Sequence, residues 1–288
     1  MKTRCQFCFN DFEMPAERCP HCAEACPFVN VWAASRAEDV AALEWRYQAA
    51  LDDAKMRGCD AVAQDFATAL SGAKVVIARH IHDVERLGFS DSECYTTFHQ
   101  ALDGGLRVPD GDAWNELRHG ADEALFPRYK EEIRSAALTL DDLGPLGYGA
   151  WSITLRTPMI ERRASVFEEN SLIFIKARKV TIDGADAMFR GYRASWSDRI
   201  KLCIAKLASA LSTATKPGDY AGLLLRQVGG TGTDQFVEVH LWGSLTIRTA
   251  EKIVLTKSKD TRRLARKSRM DAIRDNMKKL DVIFEVRP

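Results

Sequence analysis

Apolar and polar positions alternate most clearly in the stretch DQFVEVHLWGSL, residues 234–245. Its β-branched and aromatic residues predict a strand that ends at Gly243. Successive side chains of a strand point to opposite faces, so one face carries Val237, Val239 and Leu241. The other face carries Phe236, Glu238, His240 and Trp242. The pattern therefore places a carboxylate and an imidazole between two large aromatic rings.

Further strand patterns follow residue 144. The stretch YGAWSITLR alternates and predicts a strand that ends at Arg156, and RASVFEENSLIFIKARKVTI predicts one or two strands. GLLLRQV, residues 222–228, predicts a buried strand, and LDVIFEVRP predicts a closing strand. Between them, SWSDRIKLCIAKLASALSTA has a helical apolar stripe. This part of the chain reads as an α+β domain.

The preceding part of the chain has mainly helical patterns. Ser35 and Glu38 match a capping box, and apolar residues then recur at helical spacing until Gly58. Residues 60–87 predict one or two further helices, and residues 90–135 are predicted to be mostly helical. The predicted organisation is therefore an N-terminal module at 1–30, a helical region at 31–143 and an α+β domain at 144–288.

Four cysteines near the N-terminus have the spacing C-x2-C-x10-C-x2-C, and they are Cys5, Cys8, Cys19 and Cys22. Two close pairs of soft thiolate ligands favour a closed tetrahedral Zn²⁺ site. The module has few apolar residues, so we expect metal binding to supply its folding energy. The pattern predicts a structural zinc ribbon and leaves open whether His21 or Cys26 joins the site.

Composition adds limits to this picture. The chain has 288 residues and 46% hydrophobic content, enough for one large domain with an appendage or for two modest domains. No apolar run approaches the ~20 residues of a membrane span, and the N-terminus lacks the apolar run of a signal peptide. Five of the eight cysteines crowd the first 26 residues, which indicates metal binding in a reducing compartment. We expect a cytoplasmic protein with no membrane partner.

Charge is unevenly distributed, although the net charge is only +1. The segment 257–279 carries ten basic residues against three acidic ones. A basic segment on an otherwise acidic chain is a candidate contact for nucleic acid. It is equally read as a solvated helix face, and the sequence leaves both interpretations open.

The polar groups of the α+β domain suggest a ribosyl-phosphate substrate. A carboxylate in a semi-apolar cleft can stabilise the oxocarbenium-like centre that forms when a ribosyl bond breaks. Arg156 across the cleft can hold phosphate by a bidentate contact. A purely structural interpretation pairs Glu238 with Arg226 or Arg248 instead.

The order of these residues resembles the Arg, Ser, Glu signature of the ADP-ribosyltransferase fold found in bacterial toxins and effectors. The resemblance lies in YGAWSITLR, RASVFEENS and FVEVHLWG and covers roughly residues 147–288. It implies a split sheet of ADP-ribosyltransferase type and NAD⁺ as co-substrate. The residues that it implies are Arg156 and Ser165 or Ser171 for the NAD⁺ cleft and Glu238 for catalysis, and Trp242 on the same strand face is a further NAD⁺ candidate. Phe236 stands where arginine-modifying members usually have a second Glu, so the acceptor remains open.

Three functions are thus weighed. The first is an NAD⁺-dependent ADP-ribosyltransferase with a zinc-ribbon targeting module and an unknown macromolecular acceptor. The second is a ribonuclease that uses Glu238 and His240 as base and acid, since neighbours on one strand face lie within ~7 Å. The third is a non-enzymatic zinc-ribbon protein that binds nucleic acid.

Overall fold

The computed structural model describes residues 2–287 apart from the stretches 6–7, 14–15, 17, 25, 91, 105–112, 182–184, 229–232 and 257–266. The strands are β1 (Lys2–Arg4), β2 (Asp11–Glu13), β3 (Lys74–Arg79), β4 (Ile133–Thr139), β5 (Trp151–Leu155), β6 (Ala164–Phe167), β7 (Arg193–Ser195), β8 (Leu225–Arg226), β9 (Gln235–Phe236), β10 (Glu238–Trp242), β11 (Ala250–Thr256) and β12 (Ile283–Arg287). The helices are α1 (Val29–Ala34), α2 (Ala37–Met56), α3 (Asp60–Ser71), α4 (Ile81–Phe89), α5 (Phe98–Asp103), α6 (Ala113–Leu125), α7 (Thr157–Ile160), α8 (Ser171–Arg178), α9 (Ala185–Met188), α10 (Arg199–Leu207), α11 (Tyr220–Leu224) and α12 (Lys267–Lys279). Within these described ranges, no helix combines the length and the apolar character needed to cross a membrane.

An eight-stranded mixed sheet organises the chain, which confirms the α+β class. Its spatial order is β12, β11, β5, β3, β4, β10, β6, β7. All neighbouring pairs are antiparallel except β11 and β12, which are parallel. Strand β10 thus lies between β4 and β6, which precede it by many residues in the chain.

Strands β3 and β4 lie at the centre of this sheet, and the prediction of helix at these positions is wrong. The four middle residues of β3 are all buried, so the strand reads as a continuous apolar run without alternation. Such a run cannot be told from a buried helix segment by periodicity alone. Because β3 and β4 belong to the region predicted as helical, the sheet crosses the boundary predicted at residue 144.

One face of the sheet packs against helices α2, α3 and α10. Phe66, Leu70 and Ile204 from these helices are fully buried against sheet residues such as Val239 and Leu241. Val237 belongs to the same core cluster, which confirms the apolar face predicted for residues 234–245.

The opposite face of the sheet meets the N-terminal segment. Cys5, Phe12 and Cys19 join a second apolar cluster that also contains Phe126 and Trp242. Strands β1 and β2 pair as a short antiparallel hairpin beside it. The cysteine segment is therefore packed against the larger sheet rather than attached by a bare linker.

The start of α2 differs from the sequence prediction. The helix begins at Ala37 with Arg36 as its N-cap and no side-chain cap hydrogen bond. The Ser35 hydroxyl instead donates to the carbonyl of Val31 at 2.7 Å. The predicted capping box is therefore wrong, because Ser35 closes the preceding helix α1 rather than opening α2.

Two segments predicted as strands are partly helical. After β6, the Asn170 side chain accepts from the Leu172 amide at 3.1 Å and starts α8, so the second predicted strand of residues 163–182 is a helix. Residues 222–228 form the end of α11 and only the short strand β8. The stretch 234–245 does form strand, but Val237 divides it into β9 and β10.

The C-terminal part of the fold ends as predicted in a strand. β12 pairs in parallel with β11 after the helix α12. The basic segment 257–279 is only partly represented, because residues 257–266 lie outside the described residues.

Candidate functional site

Glu238 lies at the beginning of β10, in the middle of the sheet. In the register of the sheet it stands between Ala137 of β4 and Phe167 of β6. Its carboxylate accepts a 2.7 Å hydrogen bond from the backbone amide of Ser171, in the first turn of α8. A helix N-terminus favours a negative charge, so β10 and α8 together position an anion here.

Two nitrogen-bearing side chains complete the surroundings of the Glu238 carboxylate. Arg118 Nη1 and His240 Nε2 each lie 3.6 Å from Glu238 Oε1. Burial disfavours the charged form, but His240, Arg118 and the Ser171 amide together hold the pKa of Glu238 well below its usual range. Glu238 is therefore ionised, although only 1% of its surface is exposed.

Arg118 of α6 is shared by two carboxylates. Its Nε donates to Asp122 Oδ2 at 2.9 Å and its Nη2 lies 2.8 Å from Asp122 Oδ1, and Nη2 also donates to the Ser135 hydroxyl at 2.7 Å. The opposite end of the guanidinium faces Glu238. Burial alone would lower the pKa of Arg118, but the two carboxylates raise it above its ordinary value.

A cavity of about 740 Å³ lies next to this cluster, at one end of strands β3 and β4. Its walls carry four arginines and three histidines against two aspartates. The arginines are Arg79, Arg86, Arg118 and Arg134. The size is that of a typical small-molecule site, and the lining favours an anionic ligand.

Two of these arginines, Arg79 and Arg134, have no ion-pair partner among the residues that the structure describes. Arg79 Nη1 donates to the carbonyl of Ala78 at 2.9 Å, and Arg134 donates to the carbonyls of Tyr95 and Glu132 at 3.4 and 2.9 Å. Burial lowers the pKa of both guanidinium groups. Because arginine stays protonated in proteins, these are two desolvated positive charges in the cavity wall.

The Tyr95 hydroxyl also indicates a ligand that accepts hydrogen bonds in this cavity. Tyr95 lines the cavity and is 1% exposed, and its hydroxyl is buried without a hydrogen-bond partner in the described structure. Desolvation raises the pKa of this phenol above its usual range, so it keeps its proton. A buried donor without a partner is uncommon, and a bound acceptor would satisfy it.

A small recess of about 40 Å³ lies beside the cavity and is lined in part by Glu238. The recess and the cavity share Arg79, Arg118, Ser135 and Tyr148. Glu238 lines the recess but not the cavity. The ionised carboxylate therefore stands beside an arginine-lined cavity.

Among the residues predicted from sequence, Glu238, His240 and Ser165 lie close together on β10 and β6. Ser165 is paired with His240 in the register of the sheet. The Asn30 amide group donates to the Ser165 hydroxyl at 3.1 Å and to the His240 carbonyl at 3.0 Å. Helix α1 thus fixes the strand that carries Glu238.

His240 and Trp242 share the face of Glu238 but do not line the cavity. The His240 ring lies 4.6 Å from the ring of Phe126, in an edge contact, and is 3% exposed. Trp242 packs between Phe28 and Tyr129, with ring centroids at 6.1 and 5.4 Å. Of the two aromatic residues predicted for this face, Trp242 belongs to the apolar cluster with Phe126 and Tyr129, whereas Phe236 packs with Val76 and Ala137.

Arg156 lies apart from this site. Its Nε donates to the carbonyl of Ala250 at 3.0 Å and its Nη2 donates to the carbonyl of Asp281 at 2.6 Å. It is absent from the cavity lining. Of the two serine candidates, Ser171 reaches Glu238 through its backbone amide, whereas its own hydroxyl is buried without a partner in the described residues.

Sequence reasoning missed Arg79, Arg118, Arg134, His99 and Asp122. All five lie in segments predicted to be mostly helical, where no spacing brings them together. The run VVI before Arg79 has high β propensity and is the signal that could have placed this arginine at a strand end. The other four meet only through the pairing of β4 with β3 and β10 and the packing of α5 and α6.

The predicted metal ligands form one compact group. The sulfur atoms of Cys5, Cys8, Cys19 and Cys22 lie within 4.8 Å of one another, a donor set that can hold a metal ion. His21 Nε2 lies 3.2 Å from the carbonyl oxygen of Asp11 and is outside the group. Cys26 is also outside it, with its sulfur 3.7 Å from the Glu24 carbonyl.

Comparison with known proteins gives no further guide to the site, because no protein-family model and no curated protein matches the chain.

Proposed function

We propose that this protein is an NAD⁺-dependent ADP-ribosyltransferase whose active site is the arginine-lined cavity and the recess at Glu238. The observation that carries the proposal is the ionised, buried Glu238 beside a cavity in which two arginines, Arg79 and Arg134, have no ion-pair partner among the described residues. An anion beside a phosphate-binding wall suits a substrate that combines a pyrophosphate with a ribosyl bond to be broken.

In this proposal the arginines bind the pyrophosphate of NAD⁺. Arg79 and Arg134 carry this role better than Arg156, because they line the cavity and are free of carboxylate partners among the described residues. Binding of a phosphate would offset the cost of keeping their charges desolvated. The Tyr95 hydroxyl is a further donor for the same group.

Glu238 acts on the ribose. As the bond between C1′ and the nicotinamide nitrogen breaks, positive charge develops on the ribose, and a fixed carboxylate lowers the free energy of that transition state. Arg118, the Ser171 amide and His240 keep the carboxylate charged and oriented. His240 is thus a positioning residue, since it contacts Glu238 and does not line the cavity.

The test is release of nicotinamide from NAD⁺ labelled in the nicotinamide ring. We expect the wild-type protein to release it and Glu238→Gln to do so at least about 10²-fold more slowly, which is ~3 kcal/mol of transition-state stabilisation. The melting temperature of the variant is measured in parallel. Equal rates for wild type and a folded Glu238→Gln variant contradict the proposal.

A pair of arginine variants locates the substrate. Arg134→Ala should raise the KM for NAD⁺ with a smaller effect on kcat, because a phosphate contact is made in both the ground and the transition state. Arg156→Ala is the matched control and should leave KM unchanged, because Arg156 is engaged with the Ala250 and Asp281 carbonyls. A raised KM for Arg156→Ala together with an unchanged KM for Arg134→Ala would place the NAD⁺ phosphates at Arg156 instead.

The ribonuclease and nucleic-acid-binding interpretations are outcomes of the same experiment. His240 is not among the residues that line the cavity or the recess, which favours the transferase over a ribonuclease with its acid at that position. Cleavage of single-stranded RNA without nicotinamide release would nevertheless favour the ribonuclease. Binding of nucleic acid without either reaction would favour the non-enzymatic protein.

We further infer that the four-cysteine group binds structural Zn²⁺. Four thiolates favour this ion and leave no open position for chemistry. Backbone and side-chain donors approach the sulfurs, with the His21 amide 3.5 Å from Cys19 Sγ and Asn10 Nδ2 3.6 Å from Cys8 Sγ. Donors of this kind stabilise the thiolate form of a ligand.

A further inference from the structure

A buried histidine and aspartate pair lines the same cavity and has no role in the function described so far. His99 of α5 and Asp122 of α6 both line the cavity wall. His99 Nε2 lies 2.9 Å from Asp122 Oδ2, and the two side chains are 7% and 4% exposed. A histidine held by a carboxylate is a common arrangement for a general base.

Asp122 fixes which nitrogen of His99 is free. A carboxylate accepts the proton of Nε2, so the neutral ring carries its lone pair on Nδ1. Within the described part of the chain, Nδ1 makes no hydrogen bond. The Nδ1 lone pair of this cavity-lining ring is therefore not engaged by the described residues.

The contact between His99 and Asp122 is not needed to compensate the charge of Asp122. Arg118 already pairs with this carboxylate, through an Nε hydrogen bond of 2.9 Å to Oδ2 and an Nη2 contact of 2.8 Å with Oδ1. Asp122 can therefore both orient the His99 ring and stabilise the imidazolium that forms when the ring takes up a proton.

The other two histidines of the cavity wall lack such support. His80 and His82 are exposed, and His82 Nδ1 lies 3.8 Å from the nearest Glu85 oxygen. Among the three, His99 alone has a short bond to a carboxylate in the described structure.

We propose that His99, oriented by Asp122, is the general base that deprotonates the acceptor in ADP-ribosyl transfer. This inference rests on the proposed function, since it concerns the second half of the same reaction. Arg118 places the pair near the reacting centre, because its guanidinium contacts both Asp122 and Glu238.

The step is balanced as follows in bonds and charge. The acceptor oxygen or nitrogen forms a bond to C1′ of the ribose while the bond from C1′ to nicotinamide breaks. The electron pair of that bond returns to the nicotinamide ring, which leaves as a neutral molecule. The proton of the acceptor moves to Nδ1 of His99 and is then released to water.

The experiment uses water and azide as two acceptors. Water must lose a proton as it attacks, whereas azide carries no proton and needs no base. His99→Gln retains an amide donor for Asp122 but has no basic nitrogen. We expect it to hydrolyse NAD⁺ about 10²-fold more slowly than wild type, and we expect azide to restore nicotinamide release to within about tenfold.

His119→Gln is the matched control. The His119 ring centroid lies 5.6 Å from that of His99, but His119 is exposed and outside the cavity lining. This variant should keep the wild-type rate. Glu238→Gln should stay slow in azide, because its defect lies in breaking the bond to nicotinamide.

The outcomes separate the two proposals. If wild type releases no nicotinamide, the proposed function fails and this inference fails with it. If wild type is active and His99→Gln keeps its rate, or loses a rate that azide does not restore, only the inference about His99 is overturned. If His99→Gln melts at a lower temperature than wild type, His99→Asn is compared by the same azide criterion.

Discussion

Arg118 contacts two buried carboxylates, those of Asp122 and Glu238. A buried ion pair is costly to break, because removing one partner leaves an uncompensated charge. Here the arginine bonds Asp122 directly and contacts Glu238 at 3.6 Å, so the cluster has one cation for two anions before His240 is counted. The second anion makes the cluster sensitive to acid.

We therefore expect acid to destabilise the protein through Glu238. Its pKa is lower in the folded chain than in the unfolded chain, so its contribution to stability is complete above about pH 4.3, the ordinary value for Glu. The contribution is lost as the pH falls below that value towards the folded-state pKa.

Chemical denaturation at several pH values measures this effect. Glu238→Gln should be less stable than wild type at pH 7, and the difference should shrink as the pH falls from about 5 to 3. A constant difference over this range would mean that Glu238 does not titrate differently in the two states.

At the scale of elements, strand β10 and helix α1 depend on each other. Asn30 of α1 reaches across to β6 and β10 and donates to the Arg163 and His240 carbonyls at 3.2 and 3.0 Å. The Asn30 side chain is buried, so truncating it removes this donor from both carbonyls in the interior of the protein.

Asn30→Ala should lower the free energy of unfolding by about 1–3 kcal/mol, because buried carbonyls lose their donor. Asn276→Ala on α12 is the control, with an expected change within about 0.5 kcal/mol for a partly exposed position. Urea denaturation of both variants measures the difference, and equal midpoints would show that the Asn30 contacts add no stability.

The basic segment 257–279 gives a prediction that rests on its sequence. If the segment binds nucleic acid, replacing Arg262, Arg263, Arg266 and Lys267 by Glu should abolish binding, and wild-type affinity should fall steeply with salt as counterions are released. The test is to measure the affinity for a labelled oligonucleotide at salt concentrations from about 50 to 200 mM. Affinity that ignores salt would favour the solvated helix face.

Period-two alternation made the faces of β10 predictable, so the neighbourhood of Glu238 and His240 was accessible from sequence. The four cysteines were equally predictable, because the C-x2-C-x10-C-x2-C spacing is a local sequence signal. By contrast, the cavity wall joins Arg79, His99 and Arg134 from three different elements. No local pattern encodes such a meeting, which depends on strand pairing between distant segments.

At the scale of the whole molecule, the cysteine group and the candidate active site share one apolar cluster. Cys5 and Cys19 belong to it together with Trp242, the last residue of β10. Loss of the metal should thus disturb the sheet as well as the N-terminal hairpin.

Purified protein should contain about one equivalent of zinc per chain. Cys19→Ser should lose this metal, melt at a lower temperature and release nicotinamide more slowly, because the cluster behind β10 loses its support. Cys94→Ser, an exposed cysteine outside the group, is the control. Less than half an equivalent of zinc in unchelated wild type contradicts the metal assignment.

The place of β10 in the sheet also bears on how the chain emerges from the ribosome. β4 and β6 are synthesised well before Glu238–Trp242, the strand that is to lie between them. Until then each of these strands has an open edge of unpaired amide and carbonyl groups, which is a template for pairing with another chain. A nascent or truncated chain that stops before β10 is thus expected to aggregate or to need a chaperone.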